Sequence, residues 1–391
     1  LLALADGQHR VVRSRVIALI AVVAVALTVA SYRLHHDSAL WDPDGFIYLR
    51  MSLQDRGATR EEALRIANGY ALTTNQVSDP ESRGFYGESP PAYYRDQAAL
   101  FVTRPLFPAL GALLLPRLGP PALKVVSAAG YAGAAVLMYL LLLAFAPAWI
   151  AAIGAIALAL TPNVQNLAAL PLTDTLGLCF WIASLSALFW YLRAPSTAVL
   201  AVLVAATALL TFTRPAVYLP FGAALAVFLT AQRGSGLRAA AGRAVLAIAA
   251  VGVVFAIYTA LVHGPGLTTQ LRWQYEWQVA THGRFANHGV AAWWALSVPA
   301  AFAQALVVDV YKNNALFAVA LAFFGVFLAP RSLAVRVAAG AAAASLVAIV
   351  VNPLEVSRTV TVPLTPVLIV LATIALAALA QRAAPAGAAR T

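Results

Sequence analysis

Charge is scarce in this chain. Only 10% of its 391 residues are charged, while 62% are hydrophobic. Soluble domains carry about a quarter charged residues, so a water-soluble enzyme and a disordered chain are both excluded. Cysteine is scarcer still. Cys179 stands alone inside an apolar run, which rules out an intramolecular disulfide and a thiolate-built metal site. The sequence holds no HExxH, GxSxG, P-loop or GxGxxG pattern, so zinc hydrolysis, serine-nucleophile chemistry and nucleotide hydrolysis find no support. His35, His36, His263, His282 and His288 lack metal-ligand spacing. No internal repeat is visible, which weighs against a transporter built from two related halves.

What the chain does have is long apolar runs. Those near the ~17–25 residues a bilayer needs are 16–33, 122–146, 149–167, 172–192, 196–213, 215–231, 243–262, 313–329, 334–351 and 359–380. They predict an all-α, polytopic membrane protein with about ten transmembrane helices, forming one integral-membrane domain over 1–391. Two shorter runs, 105–116 and 293–308, read as re-entrant or interfacial helices. The first run follows a basic start and lacks a small-residue cleavage site, so it reads as a retained signal anchor.

The net charge of +11 is distributed, not clustered. Ten of the fifteen acids lie between Asp37 and Asp96, a stretch of net charge −4 in a chain whose remainder is +15. Elsewhere arginines punctuate apolar runs: Arg10, Arg13 and Arg15, then Arg193, then Arg233, Arg238 and Arg243, then Arg331 and Arg336, then Arg382 and Arg390. Ten spans with an inside N-terminus place all of these in the cytoplasm, as the positive-inside rule requires. Nucleic-acid binding is not expected, since that would gather basic residues on one hydrophilic face.

This topology leaves a large extracytoplasmic loop over 34–104 and a second over 264–312. The first is predicted to carry two juxtamembrane amphipathic helices, Asp44–Arg56 and Thr59–Ala71, the latter opened by a Thr59–Glu62 capping box. Asn75–Tyr94, rich in Ser, Pro, Gly and Tyr, reads as a mobile loop.

Five short segments carry chemistry. Trp41-Asp42-Pro43-Asp44-Gly45-Phe46-Ile47-Tyr48 sets two carboxylates before a helix start, where they serve as N-caps or as a general base towards a hydroxyl. Phe101-Val102-Thr103-Arg104-Pro105 puts an arginine before a Pro-initiated helix, as a functional cation or a snorkelling side chain. Pro171-Leu172-Thr173-Asp174-Thr175 places an acid at the start of a span, where burial without a partner is costly. Thr211-Phe212-Thr213-Arg214-Pro215 holds an arginine at a hinge. Asn352-Pro353-Leu354-Glu355-Val356-Ser357-Arg358 precedes the last span. Arg104, Arg214 and Arg358 thus share a predicted outer face with Asp44 and Asp174. Outer arginines run against the positive-inside bias, and a bound phosphate would explain them. Structural ion pairing of Arg358 with Glu355 or Asp174 is the alternative. Arg272-Trp273-Gln274-Tyr275-Glu276-Trp277-Gln278 reads as an aromatic, polar loop suited to stacking on sugar rings or to an interfacial belt.

These segments resemble the GT-C superfamily of integral-membrane glycosyltransferases. The similarity rests on Asp44…Tyr48, the helices of the first outer loop, Arg104-Pro105-Leu106-Phe107-Pro108, Asp174 and Thr213-Arg214-Pro215, and covers roughly 10–230. It is nearest in character to mannosyltransferases that use polyprenyl-phosphate sugars. The chain departs from the pattern at Gly45, where an acid is common. The resemblance implies inverting sugar transfer from a polyprenyl-phosphate donor to a glycan, lipid or protein acceptor. Asp44 would be the base and Asp42 a second acid. Tyr48, Arg104, Asp174, Arg214, Glu355 and Arg358 would bind substrate. It implies no cofactor and no metal, although Asp42 and Asp44 could hold a cation. The setting would be a bacterial-type plasma membrane, with the active site on its extracytoplasmic side. A flippase of a lipid-linked sugar is the rival reading, but it would need ionisable residues near mid-span, and few are present. A polysaccharide ligase or polymerase would carry its large outer loop late in the chain rather than first.

Overall fold

The computed structural model describes residues 2–37, 41–74, 100–231, 238–282, 285, 287–305, 307, 316–329, 332–354, 358 and 362–383. Every extended element among them is an α-helix. In chain order these are α1 (Leu2–His36), α2 (Pro43–Asp55), α3 (Arg60–Thr74), α4 (Leu106–Leu118), α5 (Ala122–Leu142), α6 (Ala148–Leu160), α7 (Pro162–Asn166) and α8 (Asp174–Arg193). There follow α9 (Thr197–Thr213), α10 (Tyr218–Ala231), α11 (Arg238–Leu261), α12 (Leu267–His282), α13 (Val290–Ala305), α14 (Leu316–Leu328), α15 (Leu333–Val351) and α16 (Val362–Ala383). Among the described residues, six helices are long and apolar enough to cross a bilayer: α1, α5, α8, α11, α15 and α16. α4, α6, α9, α10, α13 and α14 are shorter and apolar. The chain has the architecture of a polytopic, all-helical membrane protein. Large apolar side chains such as Ile20, Leu113, Leu261, Phe323 and Phe327 face outward, which is costly in water and favourable in lipid.

Helix α8 lies at the centre, packed on α5 and α9 and touching α10, α11 and α16. Small residues let backbones approach where side-chain bulk would not. A Cβ on Gly130 of α5 would sit 2.7 Å from the Leu176 backbone of α8. Gly222 of α10 and Gly340 of α15 oppose each other across a similar contact, beside Ala226 and Ala344. At the end of α8 that carries Arg193, Arg243 Nη1 donates to the carbonyls of Leu192 (2.8 Å) and Arg193 (3.1 Å), completing the helix C-terminus.

Three sequence expectations need correction. The run 149–167 is not one helix. Thr161 and Pro162 divide it into α6 and α7, because Pro162 has no N–H to extend the ladder. The thirteen residues of α6 span about 20 Å at 1.5 Å per residue. The stretch Arg272–Gln278 is not a loop but the middle of α12, supported on its exposed side by an Arg272–Glu276 ion pair at 2.8 Å. Helix α2 does not present a single apolar stripe. Phe46, Ile47, Tyr48 and Leu49 are all buried, so protein covers it on every side there. The Thr59 cap is present: its Oγ1 accepts from Glu62 N at 3.2 Å. Asn75–Tyr94 lies outside the described residues.

Candidate functional site

The site forms where the C-terminal end of α1, the N-termini of α2 and α8 and the C-terminus of α9 meet. The end of α1 is tied down first. Arg33 pairs with Asp37 at 3.0 Å, and the Lys124 ammonium donates to the Asp37 carbonyl at 2.9 Å. Trp41 then stacks on Phe46, with ring centroids 5.0 Å apart. Asp42 caps α2, its Oδ1 accepting from Asp44 N at 3.0 Å. This is the capping role open to it from sequence.

The start of α8 is held by α5. Ser127 Oγ donates to the Leu172 carbonyl at 3.1 Å and accepts from Leu172 N at 3.3 Å. Thr175 Oγ1 donates to the Ser127 carbonyl at 2.8 Å. These bonds satisfy irregular backbone that buried surroundings would otherwise penalise. Helix α2 then docks with Gly45 against Pro171, where a methyl group would overlap the proline ring. A larger residue at position 45 would have no room. Gly45→Ala should therefore cost about 1–3 kcal/mol of stability, as overpacking does, and should lower the melting temperature of the detergent-solubilised chain.

Four of the charged residues singled out from sequence converge. Arg358 Nη1 donates to Asp44 Oδ2 at 3.0 Å. The same guanidinium donates from Nε (3.1 Å) and Nη2 (3.0 Å) to Asp174 Oδ2. Arg214 Nη1 pairs with Asp174 Oδ1. Asp174 is therefore not an N-cap. Thr173 holds that position without a side-chain capping bond, and the Asp174 carboxylate lies fully buried between two arginines.

Arg104 stands beside this cluster, within electrostatic range of Asp44 and Arg358. It is not a snorkelling side chain. Its Nη1 donates to the Tyr48 hydroxyl at 3.0 Å, and its guanidinium lies 5.0 Å from the Phe101 ring centroid. Its Nε is shielded from solvent and has no acceptor among the described residues. Tyr48 in turn donates to Thr173 Oγ1 at 3.5 Å. Burial raises the Tyr48 phenol above its ordinary value, against the opposing pull of Arg104. Glu355 lies outside the described residues.

Two cavities open beside the cluster. The larger, about 520 Å3, is bordered by Asp44, Arg104, Tyr258, His263, Gln270 and Trp273 among others. The smaller, about 240 Å3, is lined by Arg104, Arg214, Tyr218 and the apolar Val347, Ala348 and Val351. Pro215, Gln270 and Asn352 border both. Asp44 is the carboxylate on the larger cavity, and the buried Asp174 borders neither. Sequence reasoning missed Gln270 and Tyr258. Tyr258 sits within an apolar run, and its one signal is a hydroxyl, which donates to the Thr103 carbonyl at 2.8 Å. Among the described residues no three of His, Cys, Asp or Glu group so as to hold a metal ion.

Among the described residues, three guanidiniums and two carboxylates thus share one end of the bundle beside a cavity. No known protein family, characterised protein or solved structure matches the chain.

Proposed function

We propose that the protein is a membrane glycosyltransferase of the GT-C kind, moving a sugar from a polyprenyl-phosphate donor to an acceptor hydroxyl with inversion. The observation that carries this reading is a carboxylate on a cavity, Asp44, beside an adjoining cavity lined by the guanidiniums of Arg104 and Arg214. In the reaction the acceptor oxygen bonds to the anomeric carbon and its proton passes to Asp44. The bond from the anomeric carbon to the phosphate oxygen breaks, and its electron pair leaves with the phosphate. Arg104 and Arg214 line the smaller cavity with apolar residues of α15. Together they suit an anionic phosphate carrying a lipid chain. Asp42 contributes by capping α2 and fixing Asp44, and Arg358 holds Asp44 and Asp174 in register. In this reading the chain has ten spans and the site lies on the extracytoplasmic side of a plasma membrane, as the spacing of apolar runs and basic loops suggests.

The test is transfer by the purified chain in proteoliposomes, supplied with radiolabelled polyprenyl-phosphate hexose and a membrane extract as acceptor source. The expected result is loss of label from the donor with release of polyprenyl phosphate. Label that crosses the bilayer still attached to its lipid would instead make the protein a flippase. Arg104→Gln should weaken polyprenyl-phosphate binding by about tenfold or more, since a hydrogen bond to a charged group contributes ~1.5–3 kcal/mol. Unchanged affinity in a flotation assay would remove Arg104 from the phosphate site.

A further inference from the structure

The larger cavity has a wall that phosphate binding and proton removal leave unused. Trp273 and Gln270 stand one turn apart on α12, and both border the cavity that Asp44 enters. The Trp273 indole N–H is shielded from solvent and has no acceptor among the described residues. A buried donor left unpaired costs about 1–3 kcal/mol, and buried tryptophans ordinarily find a partner for that group. That partner is not a group in the cavity, because the N–H is closed off from solvent; what borders the cavity is the rest of the indole. The helix is not free to swing away, because Gln274 Nε2 of α12 donates to the Val351 carbonyl of α15 at 3.1 Å. An interfacial-belt tryptophan would keep its N–H in the wet headgroup layer, whereas this one is enclosed.

The rest of the cavity's lining mixes Thr103, Tyr258, Thr259 and His263 with apolar residues such as Leu100, Val262 and Pro265. An indole face covers the C–H surface of a sugar ring, and an amide such as Gln270 both donates and accepts. We infer that Trp273 and Gln270 form a carbohydrate subsite that holds a neutral glycosyl ring beside Asp44. This rests on the sugar-transfer reading and deepens it: α12, from the second outer loop, would select which sugar the enzyme handles.

The experiment uses the full chain in lipid nanodiscs, labelled with 5-fluorotryptophan. The Trp273 resonance is assigned by its loss in Trp273→Phe. The probes are hexyl glycosides of glucose, mannose, galactose and arabinose, then hexanol, polyprenyl phosphate and polyprenyl-phosphate mannose. At least one glycoside should move the Trp273 resonance, while hexanol and sugar-free polyprenyl phosphate should not. Movement by polyprenyl-phosphate mannose but by no free glycoside would assign the ring to the donor. Movement by a free glycoside alone would assign it to the acceptor. Measured with the radiolabelled form of the effective probe, Trp273→Phe and Gln270→Ala should each weaken its binding by about fivefold or more, the first through lost indole contact and the second through one lost hydrogen bond. Trp273→Phe should bind sugar-free polyprenyl phosphate as the parent does, and both variants should match the parent in size-exclusion chromatography, which shows that they are folded.

A Trp273 resonance that no sugar-bearing probe moves, or sugar binding undiminished in both variants, would overturn the subsite. Should transfer persist in that case, the glycosyltransferase reading stands without it. A sugar-responsive Trp273 in a chain that transfers nothing would keep the subsite and remove the reaction.

Discussion

Asp44→Asn should abolish most sugar transfer while leaving the fold in place. A positioned general base contributes about 10²–10⁴ in rate, and the amide cannot take the acceptor proton, so a loss of that size is expected. The substitution is nearly isosteric. It removes one of Arg358's carboxylate partners but leaves the two hydrogen bonds from Arg358 to Asp174 Oδ2. The melting temperature should therefore move little, and polyprenyl-phosphate binding should persist. Asp44→Glu keeps the charge but shifts it by one methylene. It should recover part of the rate, which a purely structural role for the carboxylate would not predict. Transfer from the labelled donor at the parent rate in Asp44→Asn would exclude Asp44 as the base.

Asp174→Asn should have the opposite profile, with its main effect on stability. The Asp174 side chain has no exposed surface, and it neutralises both Arg214 and Arg358. Removing one member of a buried ion cluster costs about 3–5 kcal/mol, because the surviving charges are left uncompensated in a poorly polarisable interior. Arg358 would retain Asp44, so most of the penalty should fall on Arg214. The expected result is a large drop in melting temperature, read by size-exclusion chromatography after a heat challenge. Asp174→Asn combined with Arg214→Gln removes one charge of each sign and should recover a substantial part of the loss. A single Asp174→Asn variant as stable as the parent would show that the cluster does not hold this end of the bundle together.

The helices were legible because apolar composition over twenty residues suits little else. The expected runs 196–213 and 334–351 match α9 and α15 within a residue at either end. The charged site residues were legible for the same reason inverted: Asp174 and Arg214 stand out in an apolar chain, and burying such groups demands partners. The failures have particular causes. The break at Pro162 was signalled by the proline itself and overridden by the hydropathy of the whole run. Helix α12 was hidden because its polar and aromatic residues form no apolar stripe for a periodicity argument to detect. Burial of the Phe46–Leu49 stretch could not be anticipated from α2 alone, since it depends on packing by α3 and α4.

By itself, the sequence determined the all-helical, membrane-embedded character of the chain and the residue types available for chemistry. Hydropathy and charge scarcity are properties of composition, and composition does not depend on the fold. Tertiary structure alone decided which charges meet. Arg358 reaches Asp44 across 314 positions of chain. That contact depends on the close approaches at Gly45 and Gly130, which no local pattern encodes. It also decided that Asp174 is fully enclosed while Asp44, also buried, borders the larger cavity. Two aspartates of identical chemistry differ in surroundings because only the packing around them sets which one borders the larger cavity.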